Sequence, residues 1–231
     1  MGEPLRTAPI GAELLDDPGA DPREVAASLR NIARANRWFG GAAAVRWALG
    51  RVLGNVAPGT ALTLLDVGTG LGDLPRAAAR WGAARGLRLS PLGLERNRTA
   101  AALAAAEGLP TVVGCAGALP LRDGSVDLVL VSQVAHHLAW ESVVRLFREC
   151  DRVARRAVIV ADLRRAGAAG VAYRWGALLL RFDPVTLADG LTSIRRGYTV
   201  EELRALLELA GVRGEVCGRP GFRLVAIWRP T

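Results

Sequence analysis

Four residues of the 231-residue chain have types and spacing that suggest chemistry: Asp66, Gly68, Gly70 and Gly72. They lie in the run LTLLDVGTGLGDL, from Leu62 to Leu74. Glycines let a backbone take positive φ and approach a ligand closely. The helix expected from Asp73 would aim unpaired N–H groups and a positive dipole end at a carboxylate or phosphate. The spacing is D-x-G-x-G-x-G rather than the G-x-G-x-x-G of dinucleotide sites. An acid two positions before the first glycine can meet a ligand ammonium. The pattern therefore suits a ligand with an amino-acid end better than a pyrophosphate. Glu95 closes the next strand-like run, where a carboxylate can accept from both hydroxyls of a ribose, or alternatively cap a helix. His136 and His137 are the only histidines. An imidazole titrates near neutral pH, so either can serve as general base for a phenol or an activated carbon acid. Both can equally cap or orient the helix that follows.

The elements that must position these residues alternate. Asp21 to Gly40 reads as a helix with Asp21 as N-cap, Pro22 at its first position and Gly40-Gly41 as its stop. A second helix is expected over Ala42–Leu53. Strand Leu62–Val67 leads to helix Asp73–Ala84, strand Leu87–Leu94 to helix Arg98–Glu107, and strand Pro110–Val113 to a turn at Asp123-Gly124. Strand Val126–Val131 leads to helix Trp140–Ala154, and strand Ala157–Ala161 follows. Such alternation predicts a parallel sheet covered on both faces, with ligands outside the carboxyl ends of its strands. Arg164–Tyr198 interrupts the pattern without a clear strand. Thr199 then caps a helix over Val200–Ala210, and Val212–Cys217 and Phe222–Trp228 read as a hairpin about Gly218–Gly221.

The glycine run and this element order resemble the class I S-adenosylmethionine (SAM)-dependent methyltransferases over residues 60 to 230. The resemblance implies an α/β, Rossmann-like fold: a seven-stranded, mostly parallel sheet with an antiparallel last strand, helices on both faces and an N-terminal helical cap. Residues 1–57 would be the arm and cap. Residues 58–231 would be the SAM-binding domain, with an insertion at about 164–198 capping the acceptor pocket. The cofactor would be S-adenosyl-L-methionine. By resemblance Asp66, Gly68, Thr69, Gly70, Gly72 and Asp73 hold its amino-acid end, and Glu95 and Arg96 meet the ribose. Cys115, Ala116 and Gly117 would face the adenine. Cys115 stands where the family commonly has an acid that accepts from the adenine amino group; a thiol is a weak acceptor, and backbone at Ala116 remains able to read that edge. Ser132 and Gln133 would floor the site near the sulfonium, with His137 or His136 as candidate base. The segment Ser132-Gln133-Val134-Ala135 lacks the Asn/Asp-Pro-Pro-Tyr of amino-group methyltransferases acting on nucleic acid or protein amides. It looks more like the ubiquinone/menaquinone C-methyltransferase relatives and natural-product O-methyltransferases. The expected acceptor is a phenolic, polyketide or quinone-like small molecule of secondary metabolism, methylated on oxygen or carbon. Leu29, Ile32, Ala33, Trp38 and Phe39 would form a lid or simply core, and Arg164 or Arg165 would face an anionic acceptor or solvent.

Composition constrains the alternatives. The net charge is +8, and all 30 basic residues are arginine. They are spread through the chain with no basic stripe interleaved with aromatics, which disfavours nucleic acid as partner. RNA methylation, or SAM binding without catalysis, stays open as an alternative. Cys115, Cys150 and Cys217 lie far apart with no metal spacing, so no metal is expected. An odd cysteine count and no signal pattern suggest a reducing cytoplasm. Met1–Pro22 reads as a loose arm, and no apolar run approaches the ~20 residues of a membrane span.

Overall fold

The computed structural model describes residues 13–17 and 19–230. The fold is built on β4 (Val126–Ser132), whose seven residues are all buried. A parallel strand covered on both faces must be apolar almost throughout, and its alternation sorts two cores. Val129 and Val131 face the amphipathic helices α5 (Trp140–Val153) and α8 (Val200–Ala210). Leu128 and Leu130 face α2 (Gly41–Leu53) and α3 (Asp73–Ala83). In the adjacent β5 (Ala154–Leu163), Val158 and Val160 join the first core and Ala157, Ile159 and Ala161 the second. At roughly 1.5–3 kcal/mol per fully buried large apolar side chain, these layers dominate the stability.

The remaining strands are β1 (Ala61–Val67), β2 (Arg88–Glu95), β3 (Thr111–Val113), β6 (Gly214–Arg219) and β7 (Arg223–Trp228). Their order is β3-β2-β1-β4-β5-β7-β6. β1 pairs parallel with both β2 and β4. β7 is antiparallel to β5 and to β6. This is the expected seven-stranded, mostly parallel sheet. The order reverses between β1 and β4, so the carboxyl ends of these strands border the crevice where α/β sheets bind ligands.

Several sequence signals act as anticipated. Asp21 accepts from the Arg23 N–H at the start of α1 (Pro22–Trp38). Thr199 and Glu202 form a capping box on α8. The 164–198 interruption is two helices, α6 (Gly167–Leu179) and α7 (Pro184–Arg196). Asp183-Pro184 starts α7 with the same cap and first-turn proline as Asp21-Pro22 starts α1. β5 extends beyond the expected Ala157–Ala161 at both ends, because it pairs with β4 on one side and β7 on the other. α4 (Arg98–Ala106) packs beneath α1. α2 sits in the central core rather than over the ligand crevice. The expected loose arm falls largely on residues 1–12, outside the described residues. Glu13 to Asp17, by contrast, is pinned to the body of the protein by ion pairs. Among the described residues no helix is long and apolar enough to cross a membrane.

Candidate functional site

The glycine turn is a sterically exact cradle. Gly68, Gly70 and Gly72 all have positive φ (72°, 53° and 71°). A Cβ on Gly68 would stand 2.3 Å from Cγ2 of Val134. Asp66, at the end of β1, is 2 % exposed. Its Oδ2 accepts from the Thr69 hydroxyl at 2.7 Å, while its Oδ1 is buried with no partner among the described residues. Burial, with Asp73 and Glu95 nearby, pushes its carboxyl up to about 8 despite the Thr69 hydrogen bond. A buried acid with a bare oxygen is what a ligand ammonium would satisfy, so the residues present fit the amino-acid end of SAM.

Asp66, Gly68 and Thr69 line a cavity of about 320 Å³ together with Asp73, Ser132, Gln133, His136 and His137. The sequence-predicted residues of β1, β4 and the histidine turn therefore do converge. Ser132 keeps a buried hydroxyl without a partner. Gln133 takes a φ of 57°, unusual for a residue with a side chain. Its side chain spans the floor, donating to Oδ1 of Asn36 and accepting from Arg223 at 2.7 Å. Asn36 in turn donates to Asp73 at 3.1 Å. Arg223 is fully buried, and desolvation lowers its guanidinium to about 10.

Other predicted residues stand outside the cavity. Gly70 is covered by Leu29 of α1, whose Cδ2 would lie 3.2 Å from an added Cβ, and Gly72 by Leu109. Glu95 accepts from the N–H of Gly70 and of Asn97, each at 2.9 Å, so it braces the glycine turn, and each oxygen retains a lone pair. Arg96 and Cys115 are exposed. Cys115 Sγ accepts from the Gly117 N–H at 3.5 Å, and Ala116 packs against the first core. Arg164 and Arg165 do not line the cavity: Arg164 is exposed, and Arg165 is committed to Glu202 at 2.6 Å and to the Gly197 carbonyl. Leu29, Ile32, Trp38 and Phe39 line it as anticipated for that helix, but Ala35 takes the place expected of Ala33.

The far wall comes from elements whose role the sequence did not reveal. Phe39, Tyr173 and Phe182 form an aromatic trio with ring centroids 5.7–6.4 Å apart. Opposite them stands a polar wall. His136 is 2 % exposed, and its Nδ1 lies 2.6 Å from Oδ1 of the fully buried Asp162, leaving Nε2 buried with no partner among the described residues. Burial pushes Asp162 up, but the His136 contacts outweigh it and hold the carboxyl below its usual range. His137 Nδ1 lies 3.0 Å from Asp16, and its Nε2 is 3.8 Å from Glu13. Arg196, 1 % exposed, bridges Glu13 at 3.0 Å and Asp16 at 2.9 Å. Burial raises Glu13 on balance, whereas at Asp16 His137 and Arg196 overcome burial and hold the carboxyl well below the usual range. By sequence the two histidines are nearly equivalent candidates; the structure gives His136 a buried carboxylate partner and His137 a setting among Asp16, Glu13 and Arg196. Asp162 was legible only as an acid ending an apolar strand, and Glu13 and Asn36 carried no signal.

Residues 65–161 match the protein family described as "Methyltransferase domain". Among curated proteins, none matches the sequence. Solved structures share the fold. A SAM-dependent methyltransferase from Aquifex aeolicus is 18% identical with a TM-score of 0.61, over 91% of this chain and 99% of that one. A candidate S-adenosyl-L-methionine-dependent methyltransferase from Methanococcus maripaludis is 19% identical with a TM-score of 0.63, over 91% and 94%. The magnesium protoporphyrin IX methyltransferase of Synechocystis, with SAH bound, is 16% identical with a TM-score of 0.53, over 81% and 80%. Residues 65–161 are thus a methyltransferase domain, set in a fold shared with solved SAM-dependent methyltransferases, and the cradle beneath Asp66 fits S-adenosyl-L-methionine as its cofactor.

Proposed function

We propose that the chain methylates a small aromatic acceptor, phenolic, polyketide or quinone-like, on oxygen or carbon. One observation carries this reading: a single cavity is lined by the Asp66–Thr69 cradle, the Phe39–Tyr173–Phe182 trio and both histidines. Bound SAM supplies an electrophilic methyl on a sulfonium. What the protein adds is alignment and exclusion of water. Asp66 holds the ammonium, Asp73 and the glycine turn hold the amino-acid end, and Glu95 accepts from the ribose. Cys115, Ala116 and Gly117 border the adenine, with Arg96 at the rim. Ser132 and Gln133 form the floor. A planar acceptor stacks on the trio with its reacting group toward His136 and His137, which weaken its O–H or activated C–H bond.

The test is turnover. Purified protein and SAM are incubated with a panel of phenols, naphthols and quinols, and SAH formation is followed. Methylation of panel members, lost in Asp66→Ala, supports the reading. Tight SAM binding with no turnover on the panel, or salt-sensitive methylation of tRNA or rRNA instead, would overturn it.

A further inference from the structure

The polar wall of the cavity has an unsolved hydrogen-bond problem. One ligating atom each from Glu13, His136 and His137 lies within 4.8 Å of the other two. The ring proton of His136 belongs on Nδ1, because that atom faces Asp162 Oδ1 at 2.6 Å, an acceptor. Nε2 then carries a lone pair, is buried and has no partner. His137 Nδ1 lies between Asp16 Oδ1 at 3.0 Å, an acceptor, and a guanidinium nitrogen of Arg196 at 3.1 Å, a donor. Its Nε2 points toward Glu13 Oε2, at 3.8 Å. With the His137 proton on Nδ1, two imidazole lone pairs and a carboxylate converge, and the His136 lone pair has no donor among the described residues. The Glu13 carboxylate is held in place by Arg196 and by the Ser193 hydroxyl, 2.7 Å from Oε2.

The charge around them is also unbalanced. Glu13, Asp16, Asp162 and Asp189 bring four carboxylates, and the guanidinium groups among them are those of Arg196 and Arg223. With neutral histidines the cluster has, among the described residues, an excess of two negative charges (four less two). Two imidazoles and a carboxylate on one side, each imidazole braced through its other nitrogen by an acid, is the donor set of a mid-to-late first-row divalent metal.

We propose that Glu13, His136 and His137 bind a divalent transition-metal ion such as Zn²⁺, with Asp162 and Asp16 fixing the two rings. All three ligands line the cavity, so the ion keeps coordination positions open toward the acceptor. There it would bind an acceptor oxygen and favour its ionised form. This catalytic consequence rests on the proposed function; metal binding itself does not. The sequence conceals such a site because one ligand precedes α1 and the others follow β4.

The protein is stripped with a chelator and titrated with Zn²⁺ against a chromophoric competitor, and with Co²⁺ by visible absorption. The expected result is one ion per chain, with Co²⁺ ligand-field bands, and binding weakened by about tenfold or more in Glu13→Gln and in His137→Asn. Thermal melting confirms that each variant is folded, and Cys115→Ser, a distant exposed donor, retains full affinity. If Glu13→Gln fails to fold, His137→Asn alone decides. No stoichiometric ion, or affinity unchanged in the folded ligand variants, overturns the proposal and leaves a proton as the cation of the cluster. SAM calorimetry on the same samples separates the two readings: loss of SAM binding by the unmodified protein would count against the methyltransferase site, not against the metal.

Discussion

The two ends of the cavity are built in opposite ways. At the cofactor end, Asp66, Gly68, Thr69 and Asp73 fall within eight consecutive residues of one strand, turn and helix. At the end proposed for the acceptor, Glu13, Phe39, His136, Asp162, Tyr173 and Arg196 come from six separate stretches of the chain. The first is local backbone chemistry, in which positive φ and an N-terminal dipole are fixed by which residues follow one another. The second exists only once the sheet, α1, α6 and α7 have packed. Cofactor binding should therefore yield to single changes in the turn, and acceptor binding to changes in helix packing.

The largest effect is expected where the ends touch. In Gly68→Ala the new Cβ must displace Val134, two residues before His136, and hold a left-handed φ. Overpacking and backbone strain together cost roughly 2–5 kcal/mol. Denaturant unfolding should show that loss, and calorimetry should show SAM binding abolished. Normal SAM affinity in this variant would mean the cradle is not where the cofactor sits.

Gly190→Ala asks the converse question. Its Cβ would lie 2.2–2.5 Å from the Tyr173 ring, while its own φ is ordinary. The ring must shift within the aromatic trio, at a cost of about 1–3 kcal/mol. The acceptor KM should rise several-fold or more with the SAM Kd unchanged. Parallel loss of both would show that the two ends are one mechanical unit.

This contrast also explains what the sequence disclosed. Strand alternation and caps such as Asp21 and Thr199 act within a few residues, so most elements were legible to within one to three residues of their observed ends. α7 stayed hidden in the 164–198 interruption although Asp183-Pro184 repeats the Asp21-Pro22 signal, and the apolar, glycine-bearing stretch before it shows no polar–apolar alternation. The Asn36–Gln133–Arg223 floor joins α1, the end of β4 and the start of β7, and no spacing announces it. Arg165 illustrates the opposite error: an arginine just past a strand end looks available to an acceptor, yet Glu202 claims it.

Asp66 gives the cofactor end a pH signature. Its folded carboxyl, pushed up to about 8 from an ordinary 3.8, binds its proton more tightly than in the unfolded chain. Its contribution to stability is complete below about pH 4 and is lost as pH rises through 8. The ligand-free protein should therefore lose stability over that window, and Asp66→Asn should remove the dependence. SAM, whose ammonium favours the ionised carboxylate, should release a proton on binding near pH 7. Calorimetry in two buffers of different ionisation enthalpy measures this, and equal release by Asp66→Asn would assign the proton elsewhere.

The smallest effect should come from Cys115→Asp, where a thiol stands in place of the acid that the methyltransferase resemblance leads one to expect. The residue is exposed, so stability should move by no more than about 0.5 kcal/mol. A carboxylate there can replace Sγ as acceptor for the Gly117 N–H and leave an oxygen for the adenine amino group. A new hydrogen bond of about 0.5–1.5 kcal/mol corresponds to SAM bound about 2- to 10-fold more tightly, with the acceptor KM untouched. Unchanged affinity would mean that backbone already reads the adenine edge, so that the thiol was tolerated because it had nothing to do. A strong loss of affinity would place the adenine away from this loop. The cofactor end would then depend, like the acceptor end, on contacts that no local motif encodes.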